Sequence, residues 1–250
     1  MTAEPRPESR HPSSSPTWVD AWVARSTEIP YVAPFMAFLL LMWVGGQFDR
    51  TYLPWAYALR TFGALAVAIV FWKYLPPLGR PHVLWAIPLG LLVAFGWVYL
   101  HKAFAAQPWY EATQLLGHDA PKGDFYDPYA RLGAGFTFWL FLIVRIGGAS
   151  VVVPIVEELF WRGFLLRALI RWNDFASVPL GAFTLRSFLF CSLLSAAEHP
   201  MWEVGILCWV VYNLLFYWKK SLLFLIVVHG ITNLALYSYV VVRQDWVFWS

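Results

Sequence analysis

The chain has 250 residues, of which 60% are hydrophobic and only 13% are charged. A soluble domain usually has about 25% charged and about 45–50% apolar residues, so this composition excludes one water-soluble core. The formal net charge of +3 is small and the basic residues are scattered, which argues against a nucleic-acid partner.

The first 30 residues differ in composition from the rest of the chain. Residues 1–17 are rich in Pro, Ser and charge, which predicts a disordered tail. No short apolar core with a small-residue cleavage site follows, so we expect no removable signal peptide. Trp18, Trp22 and Val23 then indicate a short interfacial helix ahead of a transmembrane domain at 31–250.

For that domain we predict an all-α, polytopic transmembrane helical bundle. A membrane helix needs about 20 mostly apolar residues to cross roughly 30 Å of hydrocarbon, and the bilayer offers no water to open backbone groups. The stretch around Gly147, Gly148 and Pro154 is too long for one straight crossing and is predicted as two segments. About eight segments result: 31–48, 54–75, 83–104, 133–152, 153–170, 184–199, 202–218 and 221–242.

Residues 105–132 are the one sizeable polar connection, and most of them are predicted as loop, with Trp109 to Leu116 along the membrane surface. Their charged and His side chains include Glu111, His118, Asp119, Lys122, Asp124, Asp127 and Arg131. The two cysteines, Cys191 and Cys208, lie in apolar stretches and are predicted to be small buried side chains rather than a disulfide.

Ionisable side chains at membrane depth cost about 2.5–3.5 kcal/mol on insertion scales, so each needs a partner or a task. The fifth segment carries Glu157, Glu158 and Arg162. Glu158 and Arg162 are four residues apart and share a helix face, which predicts an ion pair. Glu157 points about 100° away. It is therefore free for proton transfer, while simple charge neutralisation at a helix end is the alternative.

Two later apolar stretches contain polar side chains of the same kind. His199 closes one of them and is followed by Pro200, which is expected to end the helix. His229 and Asn233, four apart, share a face of the last segment and could simply join two helices. Together with Glu157, these groups could hold and deprotonate a water or bind a divalent metal such as zinc.

Three arginines also lie in or near apolar stretches. Arg60 and Arg186 are expected to extend their charged ends to an interface. Arg145 is nearer a segment's middle, and we expect it to pair with a glutamate or a backbone carbonyl.

The sequence EELFWR at Glu157–Arg162, with His199 and with HGITN at His229–Asn233, resembles the three motifs of the CAAX-protease and bacteriocin-processing (CPBP) family. This family of intramembrane proteases includes the type II CAAX prenyl endopeptidases. The resemblance covers about residues 130–240. Within the family, the sequence is most similar to the bacterial branch associated with exosortase (PEP-CTERM) systems. It implies a multi-pass protein of the bacterial cytoplasmic (inner) membrane.

The resemblance also implies a role for each motif residue. Glu157 and His199 would activate the attacking water, and His229 and Asn233 would hold that water or stabilise the oxyanion. Glu158 and Arg162 would support the motif helix. In a metal-dependent mechanism the ligands would be Glu157, His199 and His229; a metal-free glutamate protease is equally consistent with the same residues. One departure is Ser195, which stands where the family's second motif usually has Phe.

The predicted activity is therefore intramembrane endopeptidase cleavage of a membrane-associated or lipidated protein, with membrane lipids as the surroundings. The first alternative is a non-catalytic immunity or scaffold protein that keeps the polar cluster for helix packing. The second is a proton-coupled transporter, which the lack of a detectable repeat disfavours. Substrate identity, membrane orientation and oligomeric state are left open by the sequence.

Overall fold

The computed structural model describes residues 17–110 and 125–249. Predictions for residues 1–16, and for Glu111, His118, Asp119, Lys122 and Asp124, fall outside these ranges. The described part is all-helical and contains no strand. Its helices are α1 (Trp18–Arg25), α2 (Ile29–Gly45), α3 (Leu53–Phe71), α4 (Val83–Ala105), α5 (Pro128–Leu132), α6 (Phe136–Ala168), α7 (Leu185–Ala196), α8 (Trp202–Lys219) and α9 (Leu222–Arg243).

Among the described residues, four helices are long and apolar enough to cross a membrane: Arg50–Tyr74 (α3 with its flanking turns), α4, α6 and α9. A fifth crossing results if α1 and α2, which meet at an angle of 106°, count as one broken span. The predicted number of eight is therefore not confirmed. One reason is α7, whose 12 residues extend only about 18 Å at 1.5 Å per residue, well short of the hydrocarbon thickness.

The predicted division into segments 133–152 and 153–170 is corrected by α6, which runs for 33 residues without a break. Two wider, π-helical turns, Gly148–Val152 and Leu159–Leu165, flank a short α-helical stretch at Val153–Glu158. Pro154 lies in the first turn of that stretch, two residues after the end of the first π segment. The backbone therefore accommodates Pro154 by widening one turn, where the sequence pattern predicted a chain break.

Large parts of the helix surfaces are apolar and exposed. The most apolar window of α4 is only 17% buried, and that of Arg50–Tyr74 only 22%. Outward side chains such as Leu84, Phe95 and Ile69 are more than 60% exposed. So much exposed apolar surface requires a lipid environment. The chain is accordingly an integral membrane protein.

Helix α9 packs against both α4 and α6, and small residues allow the close contact. A Cβ at Gly230 would lie 2.5 Å from the backbone oxygen of Ser150, so the backbones of α9 and α6 touch there. A Cβ at Gly90 would lie 2.7 Å from the backbone oxygen of Val228, which brings α4 equally close to α9. These contacts fix His229, next to Gly230, against α6. Cys191 and Cys208 are buried and unpaired with each other, as predicted.

Candidate active site

A cavity of about 640 Å³ lies among α2, α3, α6, α8 and α9. The four residues predicted to be catalytic all line it: Glu157, His199, His229 and Asn233. They come from α6, from the turn between α7 and α8, and from α9. The structure thus brings together side chains that are up to 76 positions apart in the sequence.

Glu157 occupies the short α-helical stretch between the two π segments of α6. Its side chain is only 7% exposed, and its Oε2 lies 4.0 Å from Nε2 of His229. Oε2 has no hydrogen-bond partner among the described residues. A separation of 4.0 Å is too long for a direct hydrogen bond and suits a water that contacts both atoms.

Glu158, the next residue, is fully buried and has several partners. Its two oxygens lie 3.0 and 3.2 Å from Nη1 of Arg162, and Oε1 accepts from Nδ1 of His229 at 2.9 Å. The predicted pairing of Glu158 with Arg162 one turn along is therefore present. This carboxylate is fully engaged in contacts within the bundle.

Arg162 extends this network to two more helices. Its Nε donates to Oδ1 of Asn213 at 2.9 Å, and Nδ2 of Asn213 donates to Oγ of Ser192 at 2.9 Å. Its guanidinium carbon lies 4.2 Å from the ring centroid of Trp209. Asn213 and Trp209 are not among the site residues predicted from the sequence. The available signal was their spacing of four on an otherwise apolar helix, which places both on one face.

The contact with Glu158 decides the tautomer of His229. A carboxylate oxygen only accepts, so Nδ1 of His229 carries the proton and, in the neutral ring, Nε2 is an acceptor. This acceptor faces Glu157. The imidazole is 5% exposed and packs against the rings of Tyr212 and Trp209, with centroid distances of 5.1 and 5.8 Å.

His199 lies in the turn after α7, where its Nδ1 donates to the backbone oxygen of Ser195 at 3.3 Å. By the same reasoning its Nε2 is an acceptor. Because Ser195 stands where the family's second motif usually has Phe, the aromatic packing beside this histidine is expected to differ. In the structure the aromatic contacts come from other helices: Trp97 of α4 and Trp209 of α8 lie 5.8 and 5.7 Å from the imidazole.

Asn233 completes the polar lining from α9. Its Nδ2 donates to the backbone oxygen of Ala149 at 2.7 Å, on the first π segment of α6. An amide nitrogen has two hydrogens, so one donor remains after this bond. Glu198 also lines the cavity, and its Oε1 accepts from Nε1 of Trp161 at 3.0 Å.

The metal-dependent alternative concerns the ligands Glu157, His199 and His229. Within residues 17–110 and 125–249, no group of three or more His, Cys, Asp or Glu side chains is arranged to hold a metal ion. Metal binding by these three residues stays a prediction, and no reaction step is routed through a metal below.

The three arginines of the apolar stretches have different surroundings in the structure. Arg145 donates to the backbone oxygen of Trp249, one of the two kinds of partner predicted for it. Arg60, predicted to extend to an interface, lines the cavity and lies over the ring of Tyr57. That ring attracts the guanidinium inward. Arg186 is exposed on α7.

A family model matches the part of the chain that contains the cavity residues. Residues 136–235 match the model of the type II CAAX prenyl endopeptidase Rce1-like proteins. No curated protein and no solved structure matches the chain. The matched residues include all four cavity residues described above, from Glu157 to Asn233. The segment 136–235 is thus an Rce1-like domain of the CAAX protease family, and the predicted resemblance to that family is confirmed at these residues.

Proposed function

We propose that this chain is an intramembrane endopeptidase of the bacterial cytoplasmic membrane. It would hydrolyse a peptide bond in a membrane-associated or lipidated protein, with a water activated at Glu157. One observation carries this proposal: a buried carboxylate oxygen of Glu157, which has no hydrogen-bond partner among the described residues, faces an imidazole acceptor of His229 across 4.0 Å inside the cavity.

The chemistry follows from the donors and acceptors in the cavity. The carboxylate of Glu157 takes a proton from a water that also contacts Nε2 of His229, and the water oxygen bonds to the peptide carbonyl carbon. When the tetrahedral intermediate collapses, the C–N bond breaks and Glu157 returns the proton to the leaving amine. The proton is therefore recycled within one turnover, and no further reactant is needed besides the substrate and water.

The remaining groups have distinct proposed tasks. A water has two hydrogens, and Glu157 takes one of them. The second is accepted by one imidazole, because Nε2 of His229 and Nε2 of His199 are both acceptors in the neutral rings. The free N–H of Asn233 is a donor, and we assign it to the developing negative charge on the substrate oxygen. Glu158 and Arg162 would act by keeping His229 in the Nδ1–H form and in a fixed orientation.

The scaffold alternative explains only one part of this arrangement. The network of Glu158, Arg162, Asn213 and Ser192 joins α6, α8 and α7, so a packing role suits it. A packing role gives no reason to bury Glu157 beside a cavity with an oxygen left unpartnered, since such burial costs free energy. Proton-coupled transport is an untested alternative that no described contact favours over hydrolysis.

The decisive experiment compares membranes from a deletion strain that expresses either the wild-type chain or Glu157→Gln. New protein N-termini are mapped by mass spectrometry in both. Glu28→Gln is the matched control, because Glu28 makes no capping bond at the start of α2 and does not line the cavity. We expect a set of cleavage sites that depends on wild-type or Glu28→Gln protein and disappears with Glu157→Gln. Identical cleavage sites with all three would refute the protease assignment.

A further inference from the structure

Besides the cavity, the protein has an apolar groove of about 400 Å³ between α4 and α9. On the α4 side it is lined by Leu91, Phe95 and Tyr99, which are between 50 and 67% exposed. Their spacing of four residues places them on one face of the helix, and the rings of Phe95 and Tyr99 stack with centroids 5.9 Å apart. Ala94 and Ala235 also line the groove, and their small side chains leave room for an occupant.

Direct contacts between the two helices bound the groove at both ends. At one end, Oγ1 of Thr232 donates to the backbone oxygen of Gly90 at 3.1 Å. At the other end, Nζ of Lys102 donates to the hydroxyl of Tyr239 at 2.8 Å. The helices therefore run side by side in the same direction, and the groove fills the space between these two contacts.

The length of the groove matches one acyl chain of a phospholipid. Leu91 and Lys102 are eleven residues apart on α4, which corresponds to about 16 Å at 1.5 Å per residue. The hydrocarbon core is about 30 Å thick, so the acyl chains of one leaflet extend about 15 Å. Lys102 lies in the last turn of α4, and lysine and tyrosine side chains near a helix end reach the membrane surface. The groove thus runs from the middle of the bilayer to one surface.

The surface end of the groove carries a positive and a negative charge. Nζ of Lys102 lies 2.6 Å from Oδ2 of Asp245, just after α9, and the hydroxyl of Tyr239 donates to the same oxygen at 3.0 Å. An ammonium group has three N–H donors, so one remains after the contacts with Tyr239 and Asp245. Oδ1 of Asp245 takes part in neither of these contacts. The side chains of Lys102 and Asp245 are 53% and 23% exposed, so a ligand can reach both charges.

We propose that this groove binds one phospholipid whose headgroup ends in a primary ammonium, as in phosphatidylethanolamine. The acyl chain lies between α4 and α9, the phosphate accepts the remaining N–H of Lys102, and the lipid ammonium donates to Oδ1 of Asp245. The quaternary ammonium of phosphatidylcholine has no N–H to donate. Phosphatidylglycerol brings no cation to Asp245, and its negative charge is repelled by that carboxylate. The site is independent of proteolysis, because its occupant is not a substrate.

The test uses the full-length wild-type protein, delipidated in detergent. It is incubated with equal amounts of phosphatidylethanolamine, phosphatidylcholine and phosphatidylglycerol that carry identical acyl chains. Native mass spectrometry counts the lipids bound to each chain and identifies them by mass after release. We expect one tightly bound phosphatidylethanolamine per chain, favoured about tenfold over either competitor, because one charge-assisted hydrogen bond is worth about that factor.

Variants then locate the lipid. Asp245→Asn should abolish the preference for phosphatidylethanolamine, whereas Asp174→Asn, at an exposed ion-paired aspartate outside the groove, is the matched control and should keep it. Ala235→Leu places a larger side chain in the groove and should reduce binding of all three lipids about tenfold. Its control is Ala66→Leu, at an exposed alanine of α3 outside the groove, which should bind lipid like the wild type.

Four results would overturn the lipid site. They are no bound phospholipid, equal binding of the three lipids to the wild type, a preference that survives Asp245→Asn, and equal binding by the two leucine variants. If Ala235→Leu fails to fold, Asp245→Asn carries the test, because it changes one atom of a partly exposed side chain. No substrate is present in these measurements, so their outcome and that of the cleavage experiment are judged separately.

Discussion

Glu157 and Glu158 are adjacent in the chain, yet their carboxylates have opposite surroundings. Glu158 contacts Arg162 at 3.0 Å and His229 at 2.9 Å, and it is fully buried. Within the part of the chain that the structure describes, Oε2 of Glu157 has no hydrogen-bond partner, and it faces the cavity 4.0 Å from the other nitrogen of the same imidazole. His229 therefore lies between the Glu158 carboxylate, which bonds within the helix bundle, and the Glu157 carboxylate, which faces the cavity. Substituting each glutamate alone can separate effects on stability from effects on cleavage.

Glu157→Gln should reduce cleavage by about 10²- to 10⁴-fold, the usual contribution of a general base. Because Oε2 loses no hydrogen bond, the melting temperature in nanodiscs should shift by less than about 4 °C. Cleavage of a substrate found by N-terminal mapping and thermal unfolding are measured on the same preparation. Full activity would contradict the base role, and a large loss of stability would contradict the free carboxylate.

Glu158→Gln should act on stability first. The change leaves the buried guanidinium of Arg162 without its counter-charge, at a cost of about 3–5 kcal/mol. The melting temperature should fall by about 10 °C. The double variant Glu158→Gln with Arg162→Met removes both charges and should recover part of the loss. If Glu158→Gln has the same melting temperature as the wild type, the ion pair of Glu158 with Arg162 contributes nothing to stability.

Trp209→Leu should reduce both the stability of the protein and its cleavage activity. The reason is that this indole contacts His199, His229 and Arg162 at once. We expect about 3 kcal/mol of lost stability from the cavity left behind, and a further loss of turnover because both imidazoles gain freedom. Trp218→Leu on the same helix is the control; Trp218 is 51% exposed and should tolerate the change. Equal effects of the two variants would argue against a specific role of Trp209.

Neighbouring glycines of α6 offer a test of helix packing. A Cβ at Gly148 would lie 2.6 Å from Oγ1 and 2.8 Å from Cγ2 of Thr61, whereas a Cβ at Gly147 would meet nothing within 4 Å. Gly148→Ala should therefore destabilise by about 1–3 kcal/mol. Gly147→Ala should be neutral or stabilise by up to about 1 kcal/mol. Adding Thr61→Ala should relieve the first variant; unfolding curves that rank the two variants the other way would contradict the packing of α3 on α6.

The all-helical membrane class and the family could be predicted from sequence because both depend on local patterns. Apolar runs of about 20 residues reveal helices directly, and the residues of EELFWR and HGITN retain their spacing whatever surrounds them. The number of crossings could not be predicted in this way. Hydropathy does not distinguish a crossing from a shorter apolar helix such as α7, because both present apolar side chains.

The site was predictable in its residues but not in its contacts. A helical spacing of four correctly placed Glu158 against Arg162. It could not reveal that Glu158 also reaches His229, because that contact joins positions 71 residues apart. The sequence did not predict Trp209, Asn213 or the inward position of Arg60 for the same reason. The role of such a side chain on an apolar helix depends on which residues of another helix pack against it. The catalytic roles themselves are predictions that the experiments above test.

The two π segments of α6 affect how this helix responds to a change in its length. Each holds a backbone wound more loosely than an α-helix, and such a segment can rewind to an α-helix when one residue is removed. In a regular α-helix, deleting one residue turns everything before it by about 100° around the helix axis. Deleting one residue within Gly148–Val152 would instead be absorbed by rewinding, and Arg145 would stay on the wall that it shares with Glu157. The wider turn therefore protects the alignment of these two side chains against the loss of one residue between them.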